Sequence, residues 1–200
     1  MRLLSLLLLP CLLLPSSTAR AQATAPRAHD FRKSTLVEIG NGPNQVDIDA
    51  DGRTDLVVVA YRENYNARGF DYVTLYRLTD EAPAWQLVPF YDKDDKPVLT
   101  SFSTHDGADC RLRDLRLVRP APVGSSPVAV IVGERAFSDS YIAPGIVTFT
   151  LYRAVRNAEH DIGAPAFYFR AAETFTSQGR YCDVGEAFDK ELGIRRSAGR

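Results

Sequence analysis

The chain has 200 residues, with 24 Lys and Arg against 25 Asp and Glu, a formal net charge of -1 and 45% hydrophobic residues. That balance excludes bulk attraction to nucleic acid or to an anionic membrane, both of which need a clustered basic surface. Three cysteines and three histidines are too few and too scattered for a metal-binding array.

Met1 and Arg2 open the chain, the apolar run Leu3 to Leu14 follows, and Ala19-Arg20-Ala21 closes the segment. A charged start, a short apolar core and an A-x-A site predict a secretory signal peptide over residues 1–21, cleaved after Ala21 or Ala23. The run is shorter than the roughly 20 residues that span a bilayer, so no membrane span is expected. Cys11 lies in the middle of the apolar core and leaves with the peptide. What remains is the length of one domain. Residues 22–33 mix Ala, Pro, Arg and Gln without periodicity and predict a disordered lead-in, with a single domain over 34–200.

Folding is expected to begin around Thr35 to Ile39. The chain then alternates short β-rich runs with turn clusters, at Asp55 to Tyr61, Tyr72 to Leu78, Trp85 to Tyr91, Leu112 to Val118, Val128 to Val132, Ile146 to Arg153 and Ala166 to Arg170. Such runs, separated by Gly, Pro, Asn and Asp, predict an all-β fold, an antiparallel β-sandwich.

The stretch Asp47 to Asp55 reads D-I-D-A-D-G-R-T-D. Carboxylates two residues apart, with Gly52 to allow a sharp turn, converge on one point as Ca²⁺ requires. The expected metal set is Asp47, Asp49, Asp51, the Arg53 carbonyl and Asp55, holding a structural Ca²⁺. The loop starts like an EF-hand, but Val58 stands where that motif needs Glu, and a strand follows where it needs a helix. A calcium loop between two strands, of the integrin-like DxDxDGxxD type, fits better. A solvated acidic turn is the alternative, since Asp and Gly are common turn residues. Without a cation, the four carboxylates would repel one another.

After the next strand, Arg62 to Asp71 forms a polar, aromatic-interleaved link whose candidate ligand-binding residues are Arg62, Glu63, Asn64, Asn66 and Asp71. At about 3.3 Å per residue the intervening strand sets this link roughly 20 Å from the acidic loop. An ordinary strand connection accounts for the same residues. Leu56 to Leu78 and Val128 to Val155 echo one another as strand, polar loop and a second strand containing T-x-Y-R or T-L-Y-R, the pattern of two matching hairpins.

Cys110 and Cys182 form an even pair in an exported chain, and a disulfide is expected. Closing a loop of that length is worth on the order of 4 kcal/mol in the chain-entropy model. Beyond Cys182 a short C-terminal helix is predicted: Asp183 caps it, Glu186 completes a capping box, Val184, Phe188 and Leu192 share a face, and Gly193 stops it. The basic end, Arg195, Arg196 and Arg200, reads as a solvated tail.

Catalytic constellations are missing from the sequence. No lysine has Ser three residues before it, so the SxxK motif of serine β-lactamases is absent. His29, His105 and His160 are mutually isolated, and His105-Asp106 suits a surface turn better than a base and its orienter. The expectation is a protein that is not an enzyme.

N-G-P-N-Q-V-D-I-D-A-D-G-R-T-D-L-V-V from Asn41 to Val58, R-E-N-Y-N-A-R-G-F-D from Arg62 to Asp71, T-L-Y at Thr74 to Tyr76 and Y-C-D-V-x-E-A near Tyr181 to Ala187 resemble the CarG-like family of carbapenem intrinsic-resistance proteins. That resemblance implies a periplasmic β-sandwich with short terminal helices, a cation site at Asp47, Asp49, Asp51 and Asp55, frequent homodimerisation, and protection against a β-lactam by a non-hydrolytic route. Arg68 departs from the His expected there. The implied partner is a small-molecule β-lactam, or else a periplasmic protein. Under that second reading, the chain is a lysozyme inhibitor-like or calcium-stabilised adhesive module, with Tyr141 in the Ser138 to Pro144 loop as its anchor.

Overall fold

A computed structural model describes residues 31–66, 69–104, 110–121, 126–137, 140–159 and 161–197. The expected signal peptide, residues 22–30 of the lead-in, Arg68, His105-Asp106, His160 and Arg200 lie outside these. The described chain begins earlier than the lead-in boundary suggested. Phe31–Lys33 form a 3-10 turn, and Phe31 is buried against Phe175, with ring centroids 6.4 Å apart.

Twelve strands are present among the described residues: β1 (Thr35–Val37), β2 (Gly42–Val46), β3 (Asp55–Glu63), β4 (Gly69–Leu78), β5 (Trp85–Leu87), β6 (Phe90–Tyr91), β7 (Pro97–Leu99), β8 (Phe102–Ser103), β9 (Arg113–Arg119), β10 (Ala129–Arg135), β11 (Gly145–Arg156) and β12 (Phe167–Tyr181). They build two sheets, a seven-stranded one in the order β1-β9-β10-β11-β12-β6-β7 and a five-stranded one in the order β2-β3-β4-β5, with β8 also pairing β4. Pairing is antiparallel throughout except between β12 and β6. The fold is all-β, a two-sheet sandwich with one short C-terminal helix.

Burial explains the different textures of the strands. In β3, Val57 and Val59 face the core while Leu56 and Val58 are only half buried, the alternation of a sheet covered on one face. In β10 the run Ala129, Val130, Ile131, Val132 is buried without interruption. One core lies between the sheets, where Val57, Val59, Val73 and Leu75 meet Leu115, Leu117, Val130 and Phe169. A second lies on the outer face of the larger sheet, where Ile131, Phe149 and Leu151 meet Val184, Phe188 and Leu192 of the terminal helix. β10 is covered on both sides, so both its faces are apolar. Gly133 lets the helix approach: a Cβ there would stand 2.7 Å from Val184 Cγ1 and 2.9 Å from Phe188 Cε2.

β2, β7 and β8 were not expected, and three expected elements differ in extent or character. Trp85 to Tyr91 is two strands, because the chain passes from one sheet to the other at Val88-Pro89, where Pro89 has no N–H to give to a ladder. β12 runs on to Tyr181, well past Arg170. The helix is α-helical only over α1 (Val184–Ala187) and continues as a π-turn over Phe188–Leu192, ending at Gly193 with φ 69°. Asp183 does cap it, accepting from the Gly185 N–H at 2.6 Å, but Glu186 pairs with Lys190 at 2.6 Å and completes no capping box.

Cys110 and Cys182 are joined, with Cα atoms 5.5 Å apart. The bond sits in a local ladder in which the Val184 N–H donates to the Arg111 carbonyl and the Arg111 N–H to Asp183 Oδ2, each at 2.9 Å. The helix is thereby tied to the start of β9.

Candidate functional site

The acidic loop joins β2 to β3 at one end of the sandwich. One oxygen of each early carboxylate shapes the turn. Asp47 Oδ2 accepts from the Gly52 N–H at 3.1 Å, Asp49 Oδ1 from the Asp51 N–H at 3.2 Å and Asp51 Oδ1 from the Arg53 N–H at 2.9 Å. Gly52 takes φ 87°, the conformation for which glycine was expected. Asp55 has a different task. Its side chain is buried and fastens the loop, Oδ2 accepting from the Ile48 N–H and Oδ1 from the Leu78 N–H, each at 2.9 Å.

The second oxygens of Asp49 and Asp51 face the guanidinium of Arg53, of which only the carbonyl was expected to take part, and those of Arg77 and Arg156, which the sequence reading left out. Asp49 Oδ2 accepts from Arg77 Nε at 2.5 Å and pairs with Arg156 Nη2 at 3.1 Å. Asp51 Oδ2 lies 3.0 Å from Arg53 Nη2, and Arg53 also reaches Asp80 at 2.7 Å. Asp51 is therefore held below the ordinary carboxylate range; burial acts to raise it, and the Arg53 hydrogen bonds and charge outweigh that. The carboxylates are not left to repel one another, because guanidinium groups are interleaved with them. The β3–β4 register carries the signal that was available: Leu56 faces Tyr76, which sets Arg77 beside Asp55. Two arginines from the larger sheet, Arg119 and again Arg156, grip the loop backbone. Arg119 Nη2 donates to the Asp47 carbonyl at 2.6 Å and Arg156 Nη2 to the Asp49 carbonyl at 2.8 Å.

Asp47, Asp49 and Asp55 each bring one carboxylate oxygen within 4.8 Å of the others. Asp47 Oδ1 is buried and accepts no hydrogen bond, and such an atom calls for a counter-charge or a donor. Burial pushes Asp55 above the ordinary carboxylate range; the Leu78 and Ile48 amides counter this and the charges of Asp49 and Asp51 add to it. These three side chains could hold a hard cation. Asp51, expected among the ligands, is outside that group and turned to Arg53. The contacts described for Arg53 are those of its backbone N–H and its guanidinium, not of the carbonyl expected to be a ligand.

The Arg62 to Asp71 link is a hairpin tip whose polar groups satisfy one another. Glu63 Oε1 accepts from the Asn64 and Tyr65 N–H groups, each at 3.0 Å, Asn64 reaches Asn66 at 3.5 Å, and Arg62 donates to the Tyr72 hydroxyl at 3.2 Å. The predicted ligand residues are not brought together. Arg62, Glu63, Asn64 and Asn66 sit on the tip, whereas Asp71 lies down the strand against Thr104, to whose Oγ1 it donates its N–H at 3.0 Å. Tyr141 is not a projecting anchor either: its ring packs on Phe137 at 4.6 Å, and its carbonyl is bonded by the buried Arg135.

A second charged cluster escaped the sequence reading. Asp114 in β9 is buried and accepts from Arg111 Nη1 at 3.0 Å, from Arg116 Nη1, and from Arg196 Nη2 at 3.3 Å. Arg196 also reaches the Leu115 carbonyl, and Ser197 donates twice to Glu38 Oε1, so this part of the basic end is docked and not a solvated tail. Arg195 alone of the described basic residues there is highly exposed, paired with Asp189. The alternation R-L-R-D-L-R-L was the available sign of charges facing inward from a strand.

The structure superposes on the crystal structure of CarG with a TM-score of 0.63 and 22% sequence identity, over 78% of this chain and 94% of that one. The chain has a CarG-like fold. At that identity, the likeness concerns the architecture. No family model matches the sequence, and no curated protein matches it either. Within the CarG-like frame the two charged clusters are separate, because the acidic loop meets β3 at Asp55, whereas Val59, four residues along, borders a cleft beside Arg111 and Arg196.

Proposed function

We propose that the chain is an exported, periplasmic, non-catalytic protein that gives intrinsic resistance to carbapenem β-lactams by binding or shielding. The CarG-like fold carries this reading, together with the Asn41 to Val58 and Arg62 to Asp71 resemblance. No helix among the described residues is long and apolar enough to cross a membrane, in keeping with a protein released after export. Expression of the full precursor in a carbapenem-sensitive periplasm is expected to raise the inhibitory concentration severalfold while the drug in the medium stays intact. Drug consumption, or no change in the inhibitory concentration, sinks the reading.

The same reading gives the acidic loop a structural Ca²⁺ held by Asp47, Asp49 and Asp55. An ion bound only by the folded chain stabilises it by about 2.7 kcal/mol at a hundredfold excess over Kd. Calcium is therefore expected to raise the Tm of the protein, a chelator to reverse the rise, and Asp47→Ala to abolish it. A Tm indifferent to both leaves the arginines as the sole counter-ions of the loop.

A further inference from the structure

Neither of the two cores includes the outer side chains of the five-stranded sheet, whereas the outer face of the larger sheet is covered by the terminal helix. Strand register places these side chains. Gln45 faces Leu56, Leu56 faces Tyr76 and Tyr76 faces Leu87, one row across β2, β3, β4 and β5. Val58 and Thr74 belong to the row on one side of it, Leu78 and Trp85 to the row on the other. They alternate along their strands with Val57, Val59, Val73 and Leu75, which point into the core between the sheets. A sheet face turned to water is ordinarily polar. Here Leu56 to Ala60 is apolar without a break, as Ala129 to Val132 is in β10, yet β10 has a core on both sides and β3 on one. Trp85 and Leu87 keep 45% and 41% of their exposure. A contiguous apolar face of this kind marks an interaction site.

From this face we infer that the chain binds a neutral sugar polymer, with successive pyranose rings lying flat on Tyr76 and Trp85. Tyr76 pairs with Leu87 and Trp85 with Leu78, so the two aromatic residues are diagonal neighbours on adjacent strands, a placement that sets side chains about 7–8 Å apart. Polar tips stand among the apolar ones. The Tyr76 and Thr74 hydroxyls, the Gln45 amide and the Trp85 indole N–H make no hydrogen bond among the described residues. Charge then selects the occupant. None of the residues in these rows is charged, in a chain in which 24% of the residues are. Nucleic acid and anionic lipid need cations that the rows lack, and a dry apolar partner would cover the four polar tips without pairing them. A pyranose ring has the matching composition, a carbon–hydrogen face to lie on an aromatic ring and a rim of hydroxyls to meet the tips. This site goes beyond the resistance reading and does not depend on it.

Trp85 is the one tryptophan of the chain, so its fluorescence reads this face directly. The test titrates the full secreted chain with linear tetrasaccharides of glucose and of N-acetylglucosamine, with the two monosaccharides, and with phosphatidylcholine vesicles. A tetrasaccharide is expected to shift the Trp85 emission saturably, to bind about tenfold or more tightly than its monosaccharide, and to keep that affinity when the salt is raised. By calorimetry, Tyr76→Ala should weaken the tetrasaccharide about tenfold, while Tyr76→Phe, which keeps the ring and loses one hydrogen bond, should cost only about threefold. Ile162→Ala, on an exposed loop, should leave the affinity unchanged, with melting curves confirming that all three variants fold. No response to either tetrasaccharide, equal affinity for tetrasaccharide and monosaccharide, or full affinity in Tyr76→Ala overturns the site. An emission that moves with protein concentration alone, together with a doubled mass in sedimentation, assigns the face to a second copy of the chain, and a response to vesicles alone assigns it to a lipid surface; either result overturns the sugar site.

Discussion

Asp114→Ala is expected to lower the unfolding free energy by about 3–5 kcal/mol, the usual cost of removing one partner from a buried ion pair. The carboxylate is the common acceptor of three guanidinium groups and of the Leu115 N–H, and Arg116, nearly as buried, would be left charged with no counter-ion. Burial alone would raise the pKa of Asp114, but the charges of Arg116, Arg196 and Arg111 outweigh it and hold the group below its ordinary 3.8. Burial also lowers Arg116, and Asp114 offsets this only in part, yet an arginine stays charged across the accessible range. A carboxylate depressed on folding contributes stability that is complete above its unfolded pKa, here about pH 4, and is lost as the pH falls through the lower folded value. Urea unfolding from pH 7 to pH 2 should show a steep loss below about pH 4 in the parent. In Asp114→Asn that part of the loss should be missing. A variant as stable as the parent at pH 7 would show that the cluster contributes nothing.

Asp55→Ala should cost about 2–5 kcal/mol by a different route. The buried Ile48 N–H and the part-buried Leu78 N–H lose their acceptor, and each unsatisfied donor costs about 1–3 kcal/mol. Asp55→Asn keeps one oxygen and should fall between parent and alanine, because its amide nitrogen can serve neither backbone donor. Chemical unfolding in the presence of chelator isolates this cost from any contribution of an ion. A loss under about 1 kcal/mol in Asp55→Ala, measured that way, would mean that the loop tolerates open amides by admitting water.

The contrast between Asp55 and Asp51 marks how far the sequence could be read. Spacing and the glycine located the turn and the convergence of Asp47, Asp49 and Asp55, since these depend on local backbone geometry alone. Which carboxylate faces which cation depends on Arg77, Arg119 and Arg156, which reach the loop from distant strands, and single-sequence spacing carries no such distance. Strands covered on one or both faces, such as β3 and β10, were legible from alternating or continuous apolar residues. β2 was hidden by Gly42-Pro43, which reads as a turn but forms the edge of a sheet, where proline is tolerated. The far half of β12 was hidden by Thr174, Thr176 and Gln178. These lie on a face turned to water, where polarity is no argument against a strand. The disulfide was legible because Cys110 and Cys182 are the pair left outside the apolar N-terminal run; the docking of Arg196 was not, because its partner is an aspartate buried 82 residues away.

The passage at Val88-Pro89 joins the outer strand β5 of one sheet to β6 near the margin of the other, and the segment after β1 does the same at the opposite margin, leading to β2. Two leaves stitched together along both long sides cannot shear past each other. With the acidic loop held across one end by Arg119 and Arg156, the two leaves are fastened to each other on three sides.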